Sequence, residues 1–264
     1  MRVALFVACY DDAWFPDTGK AATVLLERLG HEVVHPPGQT CCGQFHWTTG
    51  YRREAAELAR AFTRVFAGTD AIVAPSASCA AAVRDAYPRI ARTVRDPALA
   101  GAAEALAVYE LTEFLVDVLD VTDVGAYYPH RVAYHPTCQS ARALGVAGRP
   151  ERLLRAVRGL ELVDLPAADE CCGFGGAFAM KNADVSVAMV ADKIRHVRDT
   201  GADVVCAVDN SCLAHIGGAL SRLRGASASP TWPRSWPGRA PREAPRIRTA
   251  GRPGAGDRVA QRAG

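Results

Sequence analysis

Short apolar runs of strand length alternate along the chain with longer stretches of helical period. In the first hundred residues the runs are Val3–Ala8, Glu32–His35 and Ala71–Pro75, separated by helical stretches near Gly19–Leu29 and Arg52–Phe66. A second series follows, with runs at Val132–His135, Glu161–Leu165 and Asp203–Val208 and helices near Glu151–Val157 and Asp184–Thr200. The runs are nearly continuous in apolar residues, the pattern of strands buried on both faces of a parallel sheet. Gly30 and Gly201 stand where the helices before them should stop. Between the two series, Leu106, Leu111, Phe114, Leu115 and Val118 predict one amphipathic connecting helix over Ala103–Leu119.

The two series are copies of each other. Arg2-Val-Ala-Leu-Phe-Val-Ala-Cys9 lies 129 residues before Arg131-Val-Ala-Tyr-His-Pro-Thr-Cys138. Thr40-Cys41-Cys42-Gly43 lies 130 residues before Glu170-Cys171-Cys172-Gly173, and the segments ending at Cys79 and Cys212 are 133 apart. An offset that drifts by only four residues over three anchors indicates duplication. The expected fold is therefore α/β: two tandem Rossmann-like units with parallel sheets, 1–102 and 131–224, joined by a connecting helix and linker over 103–130.

Residues 225–264 break the pattern. They hold eight Arg against Glu243 and Asp257, with six of the sixteen Pro and no sustained period. Such a segment cannot bury enough surface to offset its ordering entropy, so a disordered tail is expected. A basic arm for acidic partners and a change of reading frame are the alternatives. The tail carries +6 of a net +3, which leaves the body at −3 and without an electrostatic footprint for nucleic acid. No apolar run approaches the eighteen residues of a membrane span, and Val3–Ala8 is too short for a secretory signal, so a cytoplasmic protein is expected.

In a reducing compartment nine cysteines are better explained by metal or redox chemistry than by disulfides. Eight of them form two matched sets: Cys9, Cys41, Cys42 and Cys79, then Cys138, Cys171, Cys172 and Cys212. Each should follow a strand, so each set should gather at the carboxyl edge of its sheet, where open parallel sheets bind ligands. Four thiolates is the complement of an iron–sulfur cluster and also of a structural zinc. Adjacent cysteines suit a cluster better, because neighbouring thiols can bind different metal atoms. Gly43 and Gly173 would let the backbone pass close to it. Cys206 has no cysteine counterpart and is expected to pack in the core.

These segments resemble the cysteine-rich CCG domain found in heterodisulfide reductases, in the glycolate oxidase iron–sulfur subunit and in the lactate-utilisation protein A family. The last is the best match, on Gly38-Gln-Thr-Cys-Cys-Gly-Gln44, Tyr109-Glu-Leu-Thr-Glu-Phe114, Cys171-Cys-Gly-Phe-Gly-Gly176 and Cys212-Leu-Ala-His-Ile-Gly-Gly218. The resemblance implies an iron–sulfur electron-transfer subunit working with partner subunits to oxidise L-lactate to pyruvate. It departs from the fullest family pattern at Ser76 and Asp209, which stand where a CxxC pair would begin. Four cysteines per set favour ordinary 4Fe–4S clusters, one or two per chain. A thiol–disulfide reductase, a glycolate oxidase subunit and a non-redox scaffold with two Cys₄ zinc sites are the alternatives.

Other polar residues carry weaker signals. Ser76 and Asp209 are expected to cap the helices after them, with a minor ligand role for Asp209. His135 and His46 could each donate a hydrogen bond to a cluster but stay outside the ligand set, since a lone histidine is more often structural. Lys20 and Lys181 could neutralise cluster charge, although helix-surface lysines are common. No Ser-His-Asp constellation, phosphate loop or dinucleotide fingerprint is present, so catalytic residues are unassigned.

Overall fold

The computed structural model describes residues 1–224, so the tail expected to be disordered lies outside the described residues. The first sheet holds β1 (Arg2–Leu5), β2 (Glu32–Val34), β3 (Ala71–Ala74) and β4 (Val108–Glu110), all parallel, in the order β2-β1-β3-β4. The second holds β5 (Arg131–His135), β6 (Glu161–Val163) and β7 (Val204–Ala207), parallel, in the order β6-β5-β7. The first three strands of each unit therefore pair in the same way, with Val3 between Val33 and Ala71 and Val132 between Leu162 and Val204.

The continuous apolar strands are explained by burial on both faces. In β1 and the residues after it, Ala4 and Phe6 enter one core cluster while Val3 and Leu5 enter another. In β3, Ile72 and Ala74 face the first cluster and Ala71 and Val73 the second. Period-two side chains thus send alternate apolar residues to helices on opposite sides. In the first unit these are α1 (Cys9–Trp14), α2 (Pro16–Arg28), α3 (Gln44–Thr48), α4 (Arg52–Val65), α5 (Ala77–Ala81), α6 (Tyr87–Val94) and α7 (Pro97–Glu104). A short α8 (Leu111–Glu113) follows β4. The second unit has α9 (Gly148–Arg155), α10 (Phe178–Lys181), α11 (Ala183–Asp199) and α12 (Asn210–Arg224).

The expected continuous helix over Ala103–Leu119 is not formed. The chain leaves α7 at Glu104, and Val108–Glu110 pairs with β3 as an edge strand. The Ile72 N–H donates to Ala107 C=O at 2.8 Å, and Val108 is buried between sheet and helices. A new helix then starts at a capping box, in which the Glu110 carboxylate accepts from the Glu113 N–H and the Glu113 carboxylate from the Glu110 N–H. Of the apolar residues that suggested one helical face, Leu106 lies in the loop before the strand, and Leu111, Phe114, Leu115 and Val118 lie in the helical segment after it. No helix among the described residues is long and apolar enough to cross a membrane.

Candidate metal centres

All eight repeated cysteines sit just beyond the carboxyl ends of parallel strands. Cys9 opens α1 after β1, Cys41 and Cys42 follow β2, and Cys79 lies in α5 after β3. Cys138 follows β5, Cys171 and Cys172 follow β6, and Cys212 lies in α12 after β7. Six of the eight line one cavity of ≈ 190 Å³ between the units; Cys171 and Cys172 lie off it.

Within each set the thiols touch in a chain. Cys42 Sγ lies 3.4 Å from Cys79 Sγ, and Cys41 contacts both Cys42 and Cys9. Cys171 likewise contacts Cys138 and Cys172, and Cys172 contacts Cys212. Sharing protons this way splits the thiols. Hydrogen bonds from Cys42 and Cys9 drive the Cys41 thiol far down, and hydrogen bonds from Cys138 and Cys172 do the same at Cys171. Their partners Cys9, Cys42, Cys138 and Cys172 are pushed up by those same bonds and by burial. Cys41 and Cys171 thus stand at the centres of their sets, each between two thiols. The Gly43 and Gly173 N–H groups add a hydrogen bond to Cys41 and Cys171 Sγ, 3.4 Å each. Four clustered sulfur donors, with backbone N–H groups aimed at sulfur, fit a thiolate-bound metal centre in each unit.

The two glycines have a further reason to be glycine. Both lie at positive φ (81° and 87°), and a Cβ on Gly173 would stand 2.7 Å from the Ser186 carbonyl oxygen of α11. At Gly43 the equivalent contacts, Leu58 and Ala55 of α4, are looser at 3.3 and 3.4 Å. The left-handed turn and the close helix behind it require these residues, a constraint the expectation of close approach to a cofactor had not included.

Between the sets lies a polar knot. The Asp209 carboxylate, 2% exposed, accepts from Ser76 Oγ (2.9 Å), Ser78 N (3.0 Å) and Ser78 Oγ (2.8 Å) on one oxygen and from Thr137 Oγ1 (3.1 Å) on the other. Ser76 caps α5 as expected, its Oγ accepting from Cys79 N. Asp209 does not behave as the expected cap: its carboxylate crosses to the first unit, while its backbone carbonyl accepts from Cys212 N at 3.2 Å. One residue therefore ties down the segments bearing Cys79, Cys138 and Cys212. Near it, Asp11 is 2% exposed; it accepts from Asn210 Nδ2 at 2.9 Å, its second oxygen has no partner, and burial lifts its pKa to about 6.

Of the weaker candidates, His46 faces Cys41, and His135 lies beside Cys172 and Cys212, with ligand atoms all within 4.8 Å of one another. The remaining candidates sit apart. Lys20 pairs with Asp17 on the surface, Lys181 lies over the Tyr51 ring, and Cys206 is half-buried in β7 beside Tyr134. A lysine outside those candidates, Lys193, is fully buried on α11 and donates at 2.6 Å to Ala167 C=O, four residues before Cys171. A charged residue within the apolar stripe Val190, Ile194, Val197 was the available signal. Asp11 and Asn210, which meet across 199 positions, offered none.

The sequence profile of the CCG cysteine-rich domain matches twice, over residues 3–84 and 132–217. Lactate utilization protein A of Geobacillus kaustophilus (strain HTA426) is 48% identical over 225 residues, covering 84% of this chain and 93% of that protein. The protein of the same name from Oceanobacillus iheyensis is 42% identical over 222 residues, covering 84% of this chain and 91% of that one. The chain belongs to the lactate utilization protein A family. Both domain matches contain one complete cysteine set, so the family's repeat and the structural duplication coincide. A crystal structure of a hypothetical protein from Helicobacter pylori shares the fold, with a TM-score of 0.55 at 14% identity over 87% of this chain. The chain spans 45% of that protein's length.

Proposed function

We propose that this family member is an iron–sulfur electron-transfer subunit of a cytoplasmic system that oxidises L-lactate to pyruvate together with partner subunits. The observation that carries this reading is the pair of matched thiol chains, Cys9–Cys41–Cys42–Cys79 and Cys138–Cys171–Cys172–Cys212, at the strand ends of two parallel sheets. Either or both chains of thiols would hold a cluster, most simply 4Fe–4S, so one or two per molecule. Bound clusters would supply one-electron storage and transfer. The residues around them have positional tasks. Gly43 and Gly173 direct N–H groups at sulfur, and Asp209 holds the two sets in fixed relation. The substrate is suggested by the name that the relatives carry.

Lactate-dependent reduction of the reconstituted chain, followed by its visible absorbance in the presence of co-purified partner proteins, tests this function. Bleaching with lactate and not with glycolate is expected; bleaching with glycolate alone transfers the chain to the glycolate reading. A second reading, thiol–disulfide reduction, is favoured by one feature: six cysteines of both sets open onto a single cavity. Turnover of a disulfide by the isolated reduced chain would select it.

A further inference from the structure

The duplication has diverged at one place that bears on charge. Behind the first cysteine set, Phe6 and Phe62 pack edge to face with centroids 4.8 Å apart, both buried. Phe6 corresponds to His135 at the 129-residue offset of the first anchor. Phe62 corresponds to Lys193 at the offset of 131 that relates Ala55 to Ser186 and Leu58 to Met189 behind the two glycines. An apolar aromatic pair in one unit is an imidazole and an ammonium in the other. His135 is 1% exposed, and neither ring nitrogen has a hydrogen-bond partner, although it lies beside Cys172 and Cys212. Lys193 is 0% exposed, its Nζ donating to Ala167 C=O four residues before Cys171; burial lowers its pKa, while Glu170, Asp169, Cys172 and Cys171 favour its charge.

We propose that His135 and Lys193 make the second cysteine set the more easily reduced of the two, so that an electron shared within the chain resides there. The inference rests on the iron–sulfur reading above. Reduction adds negative charge to a centre. A buried ammonium and an imidazole within 4.8 Å of two sulfurs favour that change, whereas two phenyl rings do not. The charges that oppose Lys193, Asp169 and Glu170, are exposed and screened by solvent. Asp209 faces Cys138 but is shared with the first unit through Ser76 and Ser78. The first set has polar neighbours of its own, His46 with a buried Nδ1 and the buried Tyr87 hydroxyl, but among the described residues no buried Lys or Arg.

The test is a stepwise dithionite reduction of the full-length reconstituted chain, followed by electron paramagnetic resonance and absorbance. Cys41→Ser and Cys171→Ser assign the two steps. The upper step should vanish in Cys171→Ser and lie above the lower by at least tenfold in equilibrium constant, about 59 mV for one electron. His135→Phe and Lys193→Met should each lower the upper step and leave the other unmoved, while Lys193→Arg retains it. Equal steps, an upper step that survives Cys171→Ser, or variants that leave it in place overturn the inference. Loss of about half the iron in His135→Phe would make His135 a ligand and overturn its tuning role. A wild-type chain that takes up no iron overturns the underlying reading instead.

Discussion

Replacing Asp209 by alanine should destabilise the protein more than any single substitution among its hydrogen-bond partners. The carboxylate accepts four hydrogen bonds between 2.8 and 3.1 Å, from three residues whose backbones lead directly into cysteines. Alanine leaves three hydroxyls and the Ser78 N–H without their acceptor, at about 1–3 kcal/mol for each that water cannot reach. Against this stands relief of the desolvation of a buried carboxylate, whose pKa burial raises. The net expected loss is about 3–5 kcal/mol, the range found when one side of a buried charged cluster is removed. For a chain of this size it would lower Tm by on the order of 10 °C. Asp209→Asn keeps an acceptor for the serines and can donate to Thr137 Oγ1, so it should cost only about 1–2 kcal/mol. Ser76→Ala removes one donor and the α5 cap, at about 1 kcal/mol. Anaerobic thermal unfolding of the full-length variants gives the order. An Asp209→Ala protein as stable as wild type, or no worse than Ser76→Ala, would refute the claim that this carboxylate joins the units.

Three further outcomes are expected. Gly173→Ala should destabilise by more than Gly43→Ala, roughly 3 against 1–2 kcal/mol, because only Gly173 has a backbone oxygen 2.7 Å from the new Cβ; urea unfolding of the pair checks the order. Burial holds the Glu110 carboxyl at about 7 against 4.5, and Asp11 is raised in the same sense. The folded protein therefore binds these protons more tightly than the unfolded chain. Stability should fall as pH rises from 4.5 through 7, by up to about 3 kcal/mol for Glu110, and Glu110→Gln should flatten that profile in pH-dependent denaturation. Cys206→Ala should leave metal content unchanged, since that thiol lies on β7 outside both sets; elemental analysis of the purified variant checks it.

The strands and the two cysteine sets are legible in the sequence because both signals repeat. An apolar run buried on two faces stands out from its flanks, and a cysteine that recurs at a fixed offset marks a site even where its neighbours have changed. β4 is hidden because three residues with a buried glutamate carry no alternation, and because Leu106 and Leu111 on either side mimic a helical stripe. Asp209 reads as a local cap, since Asp before a helix usually is one; its partners lie up to 133 positions away and leave no local trace. The glycines do mark a close approach, but the crowding against Gly43 and Gly173 comes from helices α4 and α11, which only the fold brings there. Lys193 is visible in principle, as a charge inside an apolar helical stripe asks for a buried partner.

The central claim is that each unit holds an iron–sulfur cluster on four thiolates. It is tested most directly by iron, sulfide and zinc content with the visible spectrum, on full-length protein purified without oxygen. Iron with matching sulfide and a broad absorption near ~400 nm, falling by about half in Cys171→Ser, is the expected result. A colourless protein that carries zinc or no metal and resists anaerobic reconstitution would contradict it.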